Sequence, residues 1–380
     1  MKNKKILFSS NVAWSIYNFR LEMLNQLQGD GFTIHTMATP DGFEKKLVHK
    51  GFDFTPINFK NNTTNPIKDI LLTINYIRLY KKISPDIILQ NAIKPNIYGT
   101  IAAGILGIPV INNVSGLGTL FIKKSFSTYI GKALYFLSQK FATVVLFQNE
   151  SDKELFIYNN LIDKERAHLI PGSGVDTKRF SPETNCKVPS SNFRFLFIGR
   201  LLVDKGILEY IKACDELKNK FENVEFNILG PFYNDNSSGI TESDLQYWVN
   251  KGTIKYLGVS NDVIQNLRNA DCLVLPSYRE GLSKVLLEAS SMEVPIITTN
   301  VPGCKDVIKD NFNGLLCEPE DYIDLKNKME KMFLLSPSER SLLGSNARRN
   351  VVDNFEISFV IQKYRSLIEL ILLKSSIKNK

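Results

Sequence analysis

Cysteine and histidine are scarce in this chain of 380 residues, and long apolar runs are missing. The five cysteines, Cys186, Cys214, Cys272, Cys304 and Cys317, are odd in number and widely spaced with no Cys-x-x-Cys, which argues against a disulfide framework or a cysteine zinc site. They read as reduced packing residues. The three histidines, His35, His49 and His168, stand far apart and form no acid–base or ligand cluster. No stretch stays apolar for the roughly 20 residues that span a bilayer. The N-terminus has strand character without a cleavable signal pattern, so a cytoplasmic protein is expected. No helix-turn-helix, zinc-finger or RNP pattern occurs and the lysines are scattered, so nucleic acid is not an expected partner.

What is present is ordinary in kind and uneven in placement. Apolar residues make up 43% of the chain, normal for a soluble globular protein, and the length suits two domains of common size. Residues 1–180 carry 22 Lys and Arg against 13 Asp and Glu, whereas the remainder carries 25 against 26. The first half is therefore basic and the second close to neutral, which suits an anionic membrane or an acidic substrate on the first half.

Short apolar strand patterns recur at Lys5–Ser10, Thr33–Thr39, Asp53–Ile57, Asp86–Asn91, Pro109–Val114 and Thr143–Gln148, mostly separated by helix-length segments. Such alternation implies a parallel sheet covered on both faces, with ligands at the carboxyl ends of the strands. There lie residues 14–18, Lys94 to Asn96, and a Ser-Gly-Leu-Gly turn ending at Gly118, which either approaches a phosphate or is a plain turn. The segment 121–141 mixes aromatics with Lys123, Lys124, Lys132 and Lys140. It fits a sheet-covering helix with a wet lysine face, or a helix lying at a membrane surface. Turn formers cluster from Ile170 to Pro182, and a second series of strands starts at Phe193, continuing at Val224, Thr253, Asp271 and Pro295. The expected architecture is α/β: two Rossmann-like, doubly wound domains facing a cleft, at 1–180 and 192–380, joined by a linker at 181–191. The last helix is free to return to the first domain.

The most informative stretch is Ser277 to Glu288, following the strand pattern Asp271–Pro276 and leading into a helix. Gly281 permits a tight turn and close approach of a ligand. Ser283 is placed to cap the helix, so the amides from Ser283 to Val285 would form an anion site suited to a diphosphate. Glu280 precedes the helix start and Glu288 lies about 7–8 Å beyond Ser283 at ~1.5 Å rise per residue. Carboxylates bind hydroxyls and repel phosphate, so a sugar at each end of a diphosphate fits: a ribose at Glu288 and a hexose at Glu280. A solvated charged helix with an ordinary capped start fits the same spacing. At the end of the strand starting at Phe193 stand Gly199 and Arg200, with Lys205-Gly206 opening the next helix. Two fixed cations there suit a pyrophosphate leaving group.

These residues together resemble the family 4 retaining glycosyltransferases of GT-B fold. The resemblance covers nearly the whole chain through Gly199-Arg200 with Lys205-Gly206, the Pro276–Gly281 motif, the Glu280 to Glu288 spacing, Val301-Pro-Gly303 and Gly174-Val-Asp176. Ser15 to Arg20, Lys94-Pro-Asn96 and Val114 to Gly118 are similar to the subgroup that extends undecaprenyl-diphosphate-linked sugars in bacterial capsule, O-antigen and glycoprotein pathways. The resemblance implies that Arg200 and Lys205 hold the diphosphate and Glu288 the ribose. It gives Glu280 the donor hexose, with backbone around Gly281, Leu282 and Ser283. The base would lie near Leu229-Gly230 and Leu257-Gly258, and Gly118 would approach the phosphate. Asn18, Arg20, Lys94 and Asn96 fall on the acceptor side. Many relatives carry a histidine where this chain has Ile93, which puts any histidine-dependent step in doubt.

Arg200, Lys205 and Glu280 are accordingly the expected catalytic residues. No Asp-x-Asp occurs, so side-chain cations would replace the usual divalent clamp, and neither metal nor cofactor is expected. The expected partners are a nucleoside-diphosphate sugar, a polyprenyl-diphosphate-linked acceptor and an anionic membrane, with the enzyme held peripherally on the cytoplasmic face of the inner membrane. Two rivals are a nucleotide-sugar epimerase of the same architecture, which would need added acid and base groups, and a non-catalytic nucleotide-sugar or glycan-binding protein.

Overall fold

A computed structural model describes residues 3–59, 65–117, 126–182, 188, 190–233, 238–260 and 262–378. The chain divides into two compact units, Met1–Ser173 with Ser358–Lys380, and Gly174–Ile357.

The first unit is built on strands β1 (Lys5–Val12), β2 (Thr33–Thr39), β3 (Asp53–Pro56), β4 (Ile87–Asn91), β5 (Val110–Val114), β6 (Val144–Phe147) and β7 (Ala167–Leu169). They pair in parallel in the order β3-β2-β1-β4-β5-β6-β7. Every residue of β4, β5 and β6 is buried, as expected of a sheet covered on both faces. The connecting helices are α1 (Ala13–Gly29), α2 (Glu44–His49), α3 (Pro66–Ile83), α4 (Thr100–Leu106), α5 (Phe126–Gln139) and α6 (Glu150–Tyr158). Asn65 caps α3 by accepting from the Ile67 and Lys68 amides, with Pro66 at the first turn. A π-helical turn, Pro95–Gly99, precedes α4.

The second unit repeats the plan with β8 (Phe193–Ile198), β9 (Val224–Leu229), β10 (Lys255–Tyr256), β11 (Cys272–Leu275), β12 (Ile296–Thr299) and β13 (Leu315–Cys317), ordered β10-β9-β8-β11-β12-β13 and again parallel. Its helices are α7 (Ile207–Lys220), α8 (Glu242–Asn250), α9 (Val263–Asn269), α10 (Lys284–Ser291), α11 (Tyr322–Leu334) and α12 (Pro337–Asn354), followed by α13 (Ile357–Lys378), almost all of which packs with the first unit. Phe195, Phe197 and Phe226 are fully buried, and the rings of Phe195 and Phe226 stack across β8 and β9 at 5.5 Å. In each sheet the strand order reverses once, between β1 and β4 and between β8 and β11. The carboxyl edge at that reversal is where open α/β sheets receive ligands.

The chain leaves the first unit at Ser173–Gly174 and not at 181–191. Turn composition marks 181–191 well, but residues just before it are anchored in the second unit. Phe180 is buried in that unit's core, and its carbonyl accepts from Ser291 Oγ at 2.6 Å. Val175 donates to the Phe355 carbonyl and accepts from Ile357, each at 3.0 Å, so the outgoing and returning strands of chain lie side by side. Residues 358–378 then join the first unit, where Arg365 forms a paired hydrogen bond with Asp30 at 2.7 and 2.9 Å.

Candidate active site

The second unit brings most of the singled-out residues to one edge. β8 delivers Gly199 and Arg200, β9 delivers Gly230, β10 delivers Leu257, and β11 delivers residues 276–283. Because the strands are parallel, these segments all emerge on the same side. Gly230 sits at φ +152°, and a Cβ there would lie 1.8 Å from the Gly199 carbonyl oxygen, so only glycine fits this approach. The amides of Gly199, Gly230 and Leu257 are engaged with the carbonyls of Leu229, Gly258 and Ile228 at 3.0, 2.9 and 2.8 Å. Tyr256 closes this lattice by donating its hydroxyl to the Gly230 carbonyl at 2.9 Å. Arg200 is exposed and rests over the Tyr233 ring, 5.3 Å from its centroid.

A second pair of loops is joined as tightly. Gly206, at φ +74°, lies against Pro276, whose carbonyl oxygen a Cβ would meet at 2.1 Å. The Tyr278 amide donates to the Asp204 carbonyl at 3.0 Å. These contacts set Lys205 beside Glu280, with Nζ 2.5 Å from Oε1 and the side chains 16% and 13% exposed. Ser277, fully buried, donates its hydroxyl to the same Oε1 at 2.8 Å. Glu280 is thus held through one oxygen. Its backbone is fixed as well, since its amide donates to the Pro302 carbonyl at 3.2 Å and a Cβ at Gly303 would lie 2.5 Å from its carbonyl oxygen.

Ser283 stands at the N-cap of α10, but its side chain makes no capping bond. Its amide is directed to the Gly303 carbonyl at 3.4 Å, which corrects the expectation that this amide is open to a ligand. Gly281 and Leu282 precede it in the turn, with Leu282 buried. One helix turn on, Glu288 is 12% exposed at its side chain and has Lys284 Nζ at 3.8 Å. Burial pushes the Glu288 carboxyl above its ordinary pKa, opposed by the positive charges of Lys284 and Arg179.

In the first unit the expected acceptor-side residues are more enclosed than their positions in sequence suggest. Asn18, in α1, donates to the Trp14 carbonyl at 3.0 Å. Arg20 is only 2% exposed and has no hydrogen-bond partner at Nε or Nη1 among the described residues. Burial lowers its pKa while the Tyr364 side chain of α13 opposes the shift. Asn96, in the π-helical turn, is buried and donates to the Asn113 carbonyl at 2.8 Å. Lys94 pairs with Asp69 of α3 at 3.1 Å. Arg20 and Asn96 are therefore interior groups, and Asn96 is fastened to β5 through Asn113. Gly118, Lys123 and Lys124 lie outside the described residues.

Ser277, Gly206 and Gly303 were not assigned a role from sequence. Ser277 stands inside the quoted motif, yet nothing in spacing tells a hydroxyl that faces solvent from one that faces Glu280.

Several solved structures share this architecture. A glycosyltransferase from Rickettsia africae superposes with TM-score 0.76 at 20% identity, covering 97% of this chain and 99% of that one. Anabaena HepE in complex with UDP and glucose gives TM-score 0.80 at 18% identity, covering 97% and 100%. The fold is GT-B. In sequence, residues 5–149 match the family model described as Glycosyl transferase 4-like, and residues 185–350 match Glycosyl transferases group 1. The N,N'-diacetylbacillosaminyl-diphospho-undecaprenol alpha-1,3-N-acetylgalactosaminyltransferase of Campylobacter jejuni is 27% identical over 384 residues, spanning 97% of this chain and 99% of its own. The capsular polysaccharide biosynthesis glycosyltransferase CapM of Staphylococcus aureus is 28% identical, spanning 99% of both. The chain belongs to the group 1, family 4 glycosyltransferases.

Proposed function

We propose that this glycosyltransferase moves a hexose or N-acetylhexosamine from a nucleoside-diphosphate sugar, with UDP as the nucleotide, to a sugar carried on a polyprenyl diphosphate, retaining the anomeric configuration and needing no metal. The observation that carries the reading is the edge of the second unit at the strand-order reversal, where Lys205 pairs with Glu280, Arg200 follows β8, and Glu288 stands within α10. Two relatives that match 97% and 81% of this chain are named as transferases acting on diphospho-undecaprenol-linked sugars, which supports the acceptor class.

In this reaction the bond from the sugar C1 to the diphosphate oxygen breaks, and a bond from C1 to the acceptor oxygen forms on the same face. The acceptor proton passes to a phosphate oxygen, so no protein base is demanded. Negative charge grows on the leaving diphosphate, where Arg200 and Lys205 stabilise the transition state more than the ground state. Glu280 accepts from hexose hydroxyls, and Glu288 accepts from the ribose.

A surface feature supports work at a membrane. Ile67, Ile70, Leu71 and Ile74 repeat three and four apart on α3 and are exposed, from 39% at Ile74 to 71% at Ile67. Arg78, Lys81 and Lys82 continue the same exposed face. An apolar stripe running into cations suits insertion beside anionic headgroups. Asp69, on another face of α3, holds Lys94 in the loop after β4, which ties the stripe to the expected acceptor side.

The reading is tested by incubating the protein with a panel of nucleoside-diphosphate sugars and a synthetic polyprenyl-diphosphate-linked sugar. Transfer from one donor is the expected result. Epimerisation would replace it with the first rival function and binding without turnover with the second, while hydrolysis without transfer would rule out the acceptor class.

A further inference from the structure

Lys205 has two claims on it. It is an expected diphosphate ligand, yet in the structure its ammonium is committed to Glu280 Oε1 at 2.5 Å. The commitment is built in. Ser277 Oγ holds the same oxygen at 2.8 Å, and the contacts of Gly206 on Pro276 and of Tyr278 on Asp204 fix the two loops that carry the pair. Both side chains are largely shielded from solvent, so the pair is screened less than a surface ion pair. Drawing one partner away leaves a poorly compensated charge on the other.

We infer that the Lys205–Glu280 pair, braced by Ser277, makes the site favour a nucleoside-diphosphate sugar over the bare nucleoside diphosphate that remains after transfer. This rests on the functional reading above. A bare diphosphate that recruits Lys205 strips Glu280 of its cation and adds a like charge beside it. A nucleotide-sugar recruits Lys205 too, but its hexose brings hydroxyl donors to Glu280. Oε2 receives no hydrogen bond from any described residue and is the oxygen left to accept them. Once the hexose has moved to the acceptor, that compensation is gone. Glu280 recaptures Lys205, and the diphosphate loses a ligand at the moment it must leave. Glu280 is thus a specificity residue, and Ser277 a positioning residue that acts through it.

The test is a double-mutant cycle read by calorimetric titration of UDP into the wild type, Glu280→Gln, Lys205→Met and the double variant, with circular dichroism confirming that each is folded. Glu280→Gln should bind UDP about tenfold more tightly than the wild type, the scale of one partly shielded ion pair released. That tightening should shrink to about threefold or less in the Lys205→Met background, where only the repulsion between Glu280 and the diphosphate is removed. Ser277→Ala should narrow the ratio of UDP to UDP-sugar dissociation constants, and Ser277→Thr should restore it. UDP binding that is unchanged or weaker in Glu280→Gln, or equal tightening in both backgrounds, would overturn the inference. A wild type that binds none of UDP, GDP, ADP or dTDP overturns the functional reading, and the inference with it.

Discussion

Gly206 and Gly252 have nearly the same backbone conformation, φ +74° and +76°, and very different surroundings, which makes them a controlled pair. A Cβ at Gly252 would meet nothing within 4 Å, whereas at Gly206 it would lie 2.1 Å from the Pro276 carbonyl oxygen. Gly252→Ala therefore carries only the strain of a left-handed alanine, about 1 kcal/mol. Gly206→Ala carries the same strain and a steric clash. The Cβ must retreat to about 3.3 Å from the oxygen, so the loop from Pro276 has to shift by roughly 1 Å, at a further cost of about 1–3 kcal/mol. For a domain of this size each kcal/mol lowers Tm by about 2–4 °C. Calorimetry should then show a fall of about 2–4 °C for Gly252→Ala and roughly 5–15 °C for Gly206→Ala. Activity should separate the two further, because the displaced loop carries Ser277 and Glu280. A misplacement of about 1 Å is on the scale of a hundredfold loss, while Gly252→Ala should keep wild-type turnover. Equal Tm losses with equal activity would refute the claim that the approach of Gly206 to Pro276 sets the site.

Two further outcomes follow from named groups. Burial raises the Glu288 carboxyl above the ordinary value of about 4.3, so its contribution to stability is fully present below that unfolded value and is lost as pH rises through the higher folded one. Glu288→Gln should accordingly raise Tm at pH 7.5, give little gain near pH 4, and weaken UDP binding; a Tm gain of the same size at both pH values would count against a buried ionised carboxylate. Replacing both Ile70 and Leu71 with Glu should leave Tm within about 1–2 °C, as expected for exposed positions. It should sharply reduce sedimentation with anionic vesicles and spare transfer to a short soluble acceptor analogue, whereas unchanged sedimentation would remove α3 from the membrane contact.

The strands were legible because each is a short apolar run between turn formers. β8 and β9 were read from their observed first residues, and β1 and β11 to within two residues at either end. β7 and β13, three residues each, were not, since Ala-His-Leu and Leu-Leu-Cys carry no pattern long enough to show a period. Glu280, Lys205 and Arg200 were found at the β8–β11 edge because they stand at fixed distances from recognisable strand ends. Their mutual arrangement was not legible. Sequence placed Lys205 on a diphosphate and Glu280 on a hexose as separate events, and it is the docking of Gly206 on Pro276 and of Tyr278 on Asp204 that brings the two side chains together. The burial of Arg20 was not legible either. Arg20 lies mid-way along the first helix, and the Tyr364 side chain that acts on its charge stands far along the chain in a helix that returns to the first unit.

The most direct test of the account is the configuration of the product formed without divalent metal. The reaction of the turned-over donor with a polyprenyl-diphosphate-linked sugar in excess EDTA, followed by NMR of the new glycosidic linkage, should show sustained turnover and the anomeric configuration of the donor. Complete loss of activity restored by Mg²⁺ or Mn²⁺, or a product of opposite configuration, would contradict it.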